Sequence, residues 1–195
     1  ACSFRLLDLA EAEAIIAGSA VIGGLNPGSE TDLYQFDAVG GAQYYFDLRS
    51  GGTENAIWRL VDPYGSVLFS RDFSGDAETL ALASNGTFTL MVEGRFDAPA
   101  AANYVLVLQP VTASSTALAV GQRVDGAIAV PGERDLYTFK LDAESRLTFD
   151  SLKNDPNLAW SLEGPAGVEV RDRLFSVSDA AGIADPVLDL TAGFY

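Results

Sequence analysis

The chain has no histidine, one cysteine and one methionine, and its only lysines are Lys140 and Lys153. Without histidine, the Ser-His-Asp and Cys-His nucleophile arrangements and every histidine-ligated metal site are excluded together. Cys2 alone can form no disulfide within the chain, so cysteine usage defines no redox compartment. The shortage of lysine belongs to a wider imbalance, 12 Lys and Arg against 27 Asp and Glu, for a formal charge of −15. No basic patch is available to displace counterions from a polyanion, which argues against nucleic acid and anionic membranes as partners. The acidic residues are scattered, as on a solvated surface, and are compatible with divalent cations. No apolar run approaches the roughly 18 residues that a spanning helix needs, and no secretory leader precedes the first strand-like pattern.

What is present is a repeat. GSETDLYQFDA at 28–38 returns as GERDLYTFKLDA at 132–143, so that Asp32, Leu33, Tyr34 and Phe36 match Asp135, Leu136, Tyr137 and Phe139. A second pair of segments lies at nearly the same offset: ENAIWRLVDPYG at 54–65 and PNLAWSLEGPAG at 156–167 align Trp58 with Trp160 and Leu60 with Leu162. Pro63 and Gly65 sit at the second and fourth positions of a four-residue turn, where a type I geometry favours them, and Pro165 and Gly167 do the same.

Around these anchors the pattern alternates with period two, as in half-buried strands. Tyr34 and Phe36 face one way and Gln35 the other; Tyr44, Phe46 and Leu48 share a face, with Leu147 and Phe149 as later equivalents. Phe88, Leu90 and Val92 alternate with Thr89 and Met91, and AVIGGL at 20–25 matches RVDGAI at 123–128. The segment 8–18 reads as a connector, with helical propensity in its Ala and Glu residues. With turn signals every 8–12 residues or so, this predicts an all-β chain of two tandem antiparallel β-sandwich repeats, jelly-roll-like in topology. The aromatic residues lie on the inward phase and are expected to form core.

The repeats are out of phase with the chain ends. CSFRLL at 2–7 alternates like YVLVL at 104–108 and reads as a closing strand, Cys2 taking the packing position that Tyr104 takes later. The expected division is 1–10 as the closing strand of a preceding repeat, 11–109 as one complete repeat, and 110–195 as a second lacking its last strands. The plain reading of this phase is a window on a longer repeat array. A neighbouring molecule could instead supply a strand such as CSFRLL, completing the second repeat head to tail and building a filament.

With Gly23 and Leu25 before a Pro-Gly turn, DLYQF, WRLVDPYG and GTFTLMVEG, the repeat resembles the bacterial pre-peptidase C-terminal domain and its relatives, β-sandwich modules of secreted bacterial proteins. The resemblance covers nearly the whole chain twice and implies extracellular or cell-surface, non-catalytic accessory modules. Some members bind calcium or a fibrous substrate such as collagen. Calcium takes six to eight oxygen ligands, and the candidates that the resemblance indicates are Asp8, Glu11 and Glu13; the second connector carries no carboxylate at the matching place. Asp72, Asp76 and Glu78 read as a solvated turn.

An enzyme is not expected. Paired carboxylates could in principle run glycoside hydrolysis, yet Asp32 and Asp135 begin the same strand in each repeat, as a turn or edge residue does, and no GxSxG, phosphate loop or metal-ligand cluster occurs. The expected function is a structural or adhesive module of a long secreted or surface protein, with neighbouring repeats as partners. The alternative is an accessory domain of a secreted hydrolase, protease-associated or carbohydrate-binding, with a polysaccharide or protein ligand; the carbohydrate case needs exposed aromatics on one face.

Overall fold

A computed structural model describes residues 4–112, 114–179 and 182–195. Strands run through it from end to end, and the described residues contain two short 3-10 turns, Leu9–Glu11 and Phe175–Val177, but no α-helix. The chain divides into two compact units, Ala1–Ala113 with Ala127–Arg134, and Ser114–Gly126 with Asp135–Tyr195.

The first unit contains β1 (Glu13–Ala14), β2 (Ala20–Leu25), β3 (Thr31–Ala38), β4 (Gln43–Ser50), β5 (Thr53–Val61), β6 (Val67–Phe73), β7 (Ala77–Ala81), β8 (Gly86–Gly94) and β9 (Ala102–Val111). One sheet has the order β1-β3-β8-β5-β6 and the other β2-β9-β4-β7. Every pairing is antiparallel except that of β1, which runs parallel to β3. The alternation read from the sequence is the alternation that packs: Tyr34, Phe36, Trp58, Leu60, Phe88, Leu90 and Val92 are buried from one sheet, and Phe46, Tyr104, Leu106 and Leu108 from the other.

Aromatic edges join the two layers. Phe46 meets Trp58 at 6.4 Å and 85°, Phe73 meets Tyr104 at 5.0 Å and 86°, and Phe36 meets Tyr44 at 5.4 Å and 65°. Such T-shaped pairs set a positive ring edge on a negative face, adding about 0.5–1.5 kcal/mol each beyond the area they bury. The β5–β6 connection is the turn expected from Asp62-Pro63-Tyr64-Gly65: Asp62 Oδ1 accepts from the amides of Tyr64 and Ser66 at 2.9 and 2.7 Å, and Gly65 takes φ +86°.

The second unit contains β10 (Ser114–Ala117), β11 (Asp135–Thr138), β12 (Lys140–Leu141), β13 (Ser145–Thr148), β14 (Ala159–Gly164), β15 (Gly167–Leu174), β16 (Val187–Leu190) and β17 (Gly193–Phe194). Among the described residues these pair two by two: β10-β11, β12-β17, β13-β16 and β14-β15. Relationships of the first unit recur in it. Glu13 pairs with Tyr34 in parallel, and Thr116 with Tyr137. Phe36 stacks on Phe88 at 5.7 Å and 20°, and Phe139 on Tyr195 at 5.1 Å and 11°. Pro63 lies against Gly86, and Pro165 against Gly193, both glycines with positive φ.

Three sequence expectations are corrected. Cys2 and Ser3 lie outside the described residues, and Phe4, Arg5, Leu6 and Leu7 belong to no strand. Residues 123–128 form no strand either. Alternation marks a chain that can be a strand, but a ladder needs a partner backbone, and neither segment has one among the described residues. The connector at 8–18 is not helical: after the Leu9–Glu11 turn it adds β1 to the edge of β3.

Candidate functional site

Residues 8–13 form a capped 3-10 turn that leads into β1, which is fastened to β3. Asp8 caps the 3-10 turn, its Oδ1 accepting from Ala10 N at 3.0 Å. Gln35 Nε2 then donates to Ala12 O at 2.7 Å, and Ile15 N donates to Gln35 O at 2.9 Å, fastening β1 to β3. An open groove of about 500 Å³ results, with Asp8, Glu11, Glu13 and Asp32 in its lining beside apolar Leu6 and Ile22.

The three carboxylates singled out from the sequence therefore line one groove. They do not form a ligand set: no group of three or more acidic or cysteine side chains is arranged to hold a metal ion among the described residues. One oxygen of Asp8 is already engaged by the turn. As placed, these residues do not fit the six to eight converging oxygens of a calcium centre.

The fourth carboxylate is engaged more deeply. Tyr104 donates to Asp32 Oδ2 at 2.6 Å, and the Tyr34 and Tyr104 hydroxyl oxygens are 2.7 Å apart. Since Tyr104 gives its one proton to Asp32, Tyr34 is the donor in the phenol pair. Burial pushes the Asp32 carboxyl above its ordinary value; the Tyr104 hydrogen bond opposes that, and the charges of Glu30 and Glu13 reinforce it. Burial also raises the Tyr34 phenol, to about 12, and raises Tyr104 further, with Asp32 as the next cause.

Gly23 makes the arrangement sterically feasible. A Cβ there would lie 2.4 Å from Tyr104 Cζ and 2.4 Å from the Tyr34 hydroxyl. The counterpart in the second unit is simpler: Tyr137 donates directly to Asp135 Oδ2 at a long 3.5 Å, over Gly126. Sequence reasoning placed Tyr34 inward and Asp32 at a strand start but did not join either to Tyr104, because the contact spans the two sheets and has no local signal. Beside these residues Glu30 accepts from Asn26 N and is bridged by Arg5 at 3.1 Å; the Asn26 hydrogen bond first, then Arg5, hold its carboxyl below the ordinary value.

Of the other carboxylates named from the sequence, Asp72 and Glu78 are exposed on β6 and β7, while Asp76 has a structural role. Asp76 accepts from Tyr45 Oη at 2.7 Å and from Leu48 N at 2.8 Å, so it ties the start of β7 to β4 where a solvated turn was expected. Asp32 and Asp135 lie in separate units, each beside its own tyrosine.

No protein-family profile matches the chain, and no curated protein matches it. Among solved structures it is similar to PliG of Aeromonas hydrophila, a periplasmic lysozyme inhibitor of g-type lysozyme, at 16% identity over 50% of this chain and 96% of that one, with TM-score 0.41. It is similar to the pre-peptidase C-terminal domain of collagenase from Bacillus anthracis at 18% identity over 51% of this chain and 95% of that one, with TM-score 0.43. A third is PliG of Salmonella Typhimurium, at 19% identity, 51% and 97% coverage and TM-score 0.40. The family named from the residue pattern is thus among these structures. All three TM-scores lie below 0.5, and the likenesses bear on nothing this chain binds or does.

Proposed function

We propose that the chain is a non-catalytic structural or adhesive module of a secreted or surface protein, two copies of one β-sandwich in a longer array. The observation that carries this reading is the recurrence of Phe36–Phe88 and Pro63–Gly86 as Phe139–Tyr195 and Pro165–Gly193. Groups capable of chemistry are committed to structure: Asp32 to Tyr104, Asp76 to Tyr45 and the β4 backbone, Asp62 to its turn. Such units act through surfaces and spacing. Fractionating the source cells and probing with an antibody to the chain tests this reading. It expects the protein in the secreted or surface fraction, removable by external protease; an exclusively cytosolic protein contradicts it.

The groove supports a second reading, an accessory domain of a secreted hydrolase that holds a protein or polysaccharide ligand. Its mixture of carboxylates and exposed Leu6 and Ile22 suits an extended ligand with cationic groups better than a sugar plane. Tyr64 and Phe96, both highly exposed, sit beyond opposite ends of the β5–β8 pair and make no shared platform for a glycan.

For calcium, the reading is a diffuse association. The groove carboxylates and the net charge of −15 would concentrate divalent cations near the surface without the converging ligands that fix one ion.

A further inference from the structure

Asn85, Gly86 and Thr87 form the one Asn-x-Ser/Thr triplet in the chain, the acceptor pattern for a sugar linked through asparagine. It falls in the first unit, where the connection from β7 enters β8, and Asn85 and Thr87 are both exposed. The side-chain amide is already oriented. Its Oδ1 accepts from Gly40 N at 2.8 Å, while its Nδ2, the atom that carries such a sugar, donates to no group among the described residues. A sugar on Nδ2 leaves the bond to Gly40 in place.

The surroundings of Asn85 differ between the two units. Val39 precedes Gly40, and Tyr64 follows Pro63, which lies against Gly86. Asn85 thus stands between the chain neighbours of two apolar side chains that are 67% and 79% exposed. At the equivalent places the second unit carries Ala192 for Asn85, Phe194 for Thr87, Asp142 for Val39 and Ala166 for Tyr64. The local geometry is kept there, with Pro165 against Gly193. Where the acceptor triplet is missing, its apolar flanks are missing too.

We propose that Asn85 is a glycosylation site and that the attached sugar lies over Val39 and Tyr64. The less polar face of the sugar covers side chains that otherwise meet water. The linkage forms when Nδ2 attacks the anomeric carbon of a sugar held as a phosphate ester, on a lipid or on a nucleotide. A C–N bond forms and the C–O bond to phosphate breaks. The phosphate leaves with the electron pair, and Nδ2 gives up one proton to the transferase. The inference rests on the reading of the chain as a secreted or surface module, because the triplet is an acceptor in exported proteins.

The test is peptide mass mapping of the protein taken from the secreted or surface fraction of its source cells, with electron-transfer fragmentation to place any added mass. The tryptic peptide Asp72–Arg95, in which Asn85 is the only asparagine, should carry at least one sugar residue on Asn85. A preassembled oligosaccharide marks a lipid-carried donor, and a single sugar marks a nucleotide-carried one. Expressed in the same cells, Asn85→Gln and Thr87→Val should lose the sugar, whereas Thr87→Ser, which keeps the hydroxyl, should retain it. Nitration of Tyr64 should be slow in the glycosylated chain and fast in Asn85→Gln. A bare peptide in exported protein overturns this inference and leaves the surface reading standing; a bare peptide in an exclusively cytosolic protein contradicts both. Sugar that survives Thr87→Val, or equal nitration of Tyr64 with and without Asn85, overturns it as well.

Discussion

Tyr104 donates to Asp32 at 2.6 Å while accepting from Tyr34 at 2.7 Å, so one buried phenol links a strand of each sheet in the first unit. Tyr104→Phe removes a donor and an acceptor at once and leaves a partly buried carboxylate and a buried hydroxyl unpaired. The expected cost is about 1–3 kcal/mol, against about 1 kcal/mol for Tyr34→Phe, which leaves the bond to Asp32 in place. Urea unfolding of the two variants measures the difference, and equal losses would contradict this hierarchy.

Gly23 is the steric condition for that bond. Gly23→Ala puts a Cβ 2.4 Å from Tyr104 Cζ, against a packed ring that cannot retreat. At Gly24 the nearest atom, at 2.7 Å, is the tip of the Asn103 side chain, which can rotate away. Gly23→Ala should therefore cost about 2–3 kcal/mol and Gly24→Ala less than 1 kcal/mol. Thermal melts of both variants check the order.

That cluster and the Tyr45–Asp76 pair give the first unit a pH signature. The phenols of Tyr34 and Tyr45 are both raised from 10.0 to about 12, burial being the main cause in each. Between those values the folded state holds protons that the unfolded state has lost, so the phenols' contribution to stability is full below pH 10 and is lost as the pH climbs toward about 12. For Asp32, also raised in the fold, the sign is the same at lower pH: its contribution is fully present below the unfolded value of 3.8 and lost as the pH rises through the folded one. Relative to Asp32→Asn, the wild type should thus lose stability as the pH rises from about 4 to 7. Denaturant midpoints across pH 4–12, with phenolate absorbance in the alkaline limb, test both; a difference independent of pH would refute the assignment to Asp32.

The two tryptophans should behave differently. Trp58 is fully buried among Phe46, Phe69 and Phe73, whereas Trp160 is half-buried, with Nε1 donating to Ser178 Oγ at 2.7 Å. Dilute protein should show two emitting populations, one blue-shifted and shielded from acrylamide, the other red-shifted and quenched. Trp58→Phe should remove the shielded one.

How much of this was legible depended on whether the cause was local. The inward phase of Tyr34, Phe36, Trp58 and Leu60 and the Pro63–Gly65 turn were readable, because period-two burial and turn chemistry are written in adjacent residues. Phe4–Leu7 and residues 123–128 carry the same alternation and form no strand, since pairing depends on a partner that sequence does not display. The Ala- and Glu-rich connector lost its helical preference to the edge of β3, a tertiary contact outweighing weak propensity. At the groove, Asp8, Glu11 and Glu13 were readable as a cluster, but Asp32 and Tyr104, separated by 72 residues, were joined only by the fold.

For the groove itself, calorimetric titration with calcium should show weak heats that vanish on adding 0.15 M salt or so, as screening of a diffuse cloud requires. Saturable micromolar binding abolished by Glu13→Gln would contradict this and assign a coordinated site.

The account's central claim, that these two units are copies within a longer structural array, is tested most directly by the denatured intact mass of the natural chain. A mass far above 20.6 kDa, with further copies of the Trp58 and Tyr34 segments in its sequence, is the predicted result. A natural chain of 20.6 kDa would contradict the array.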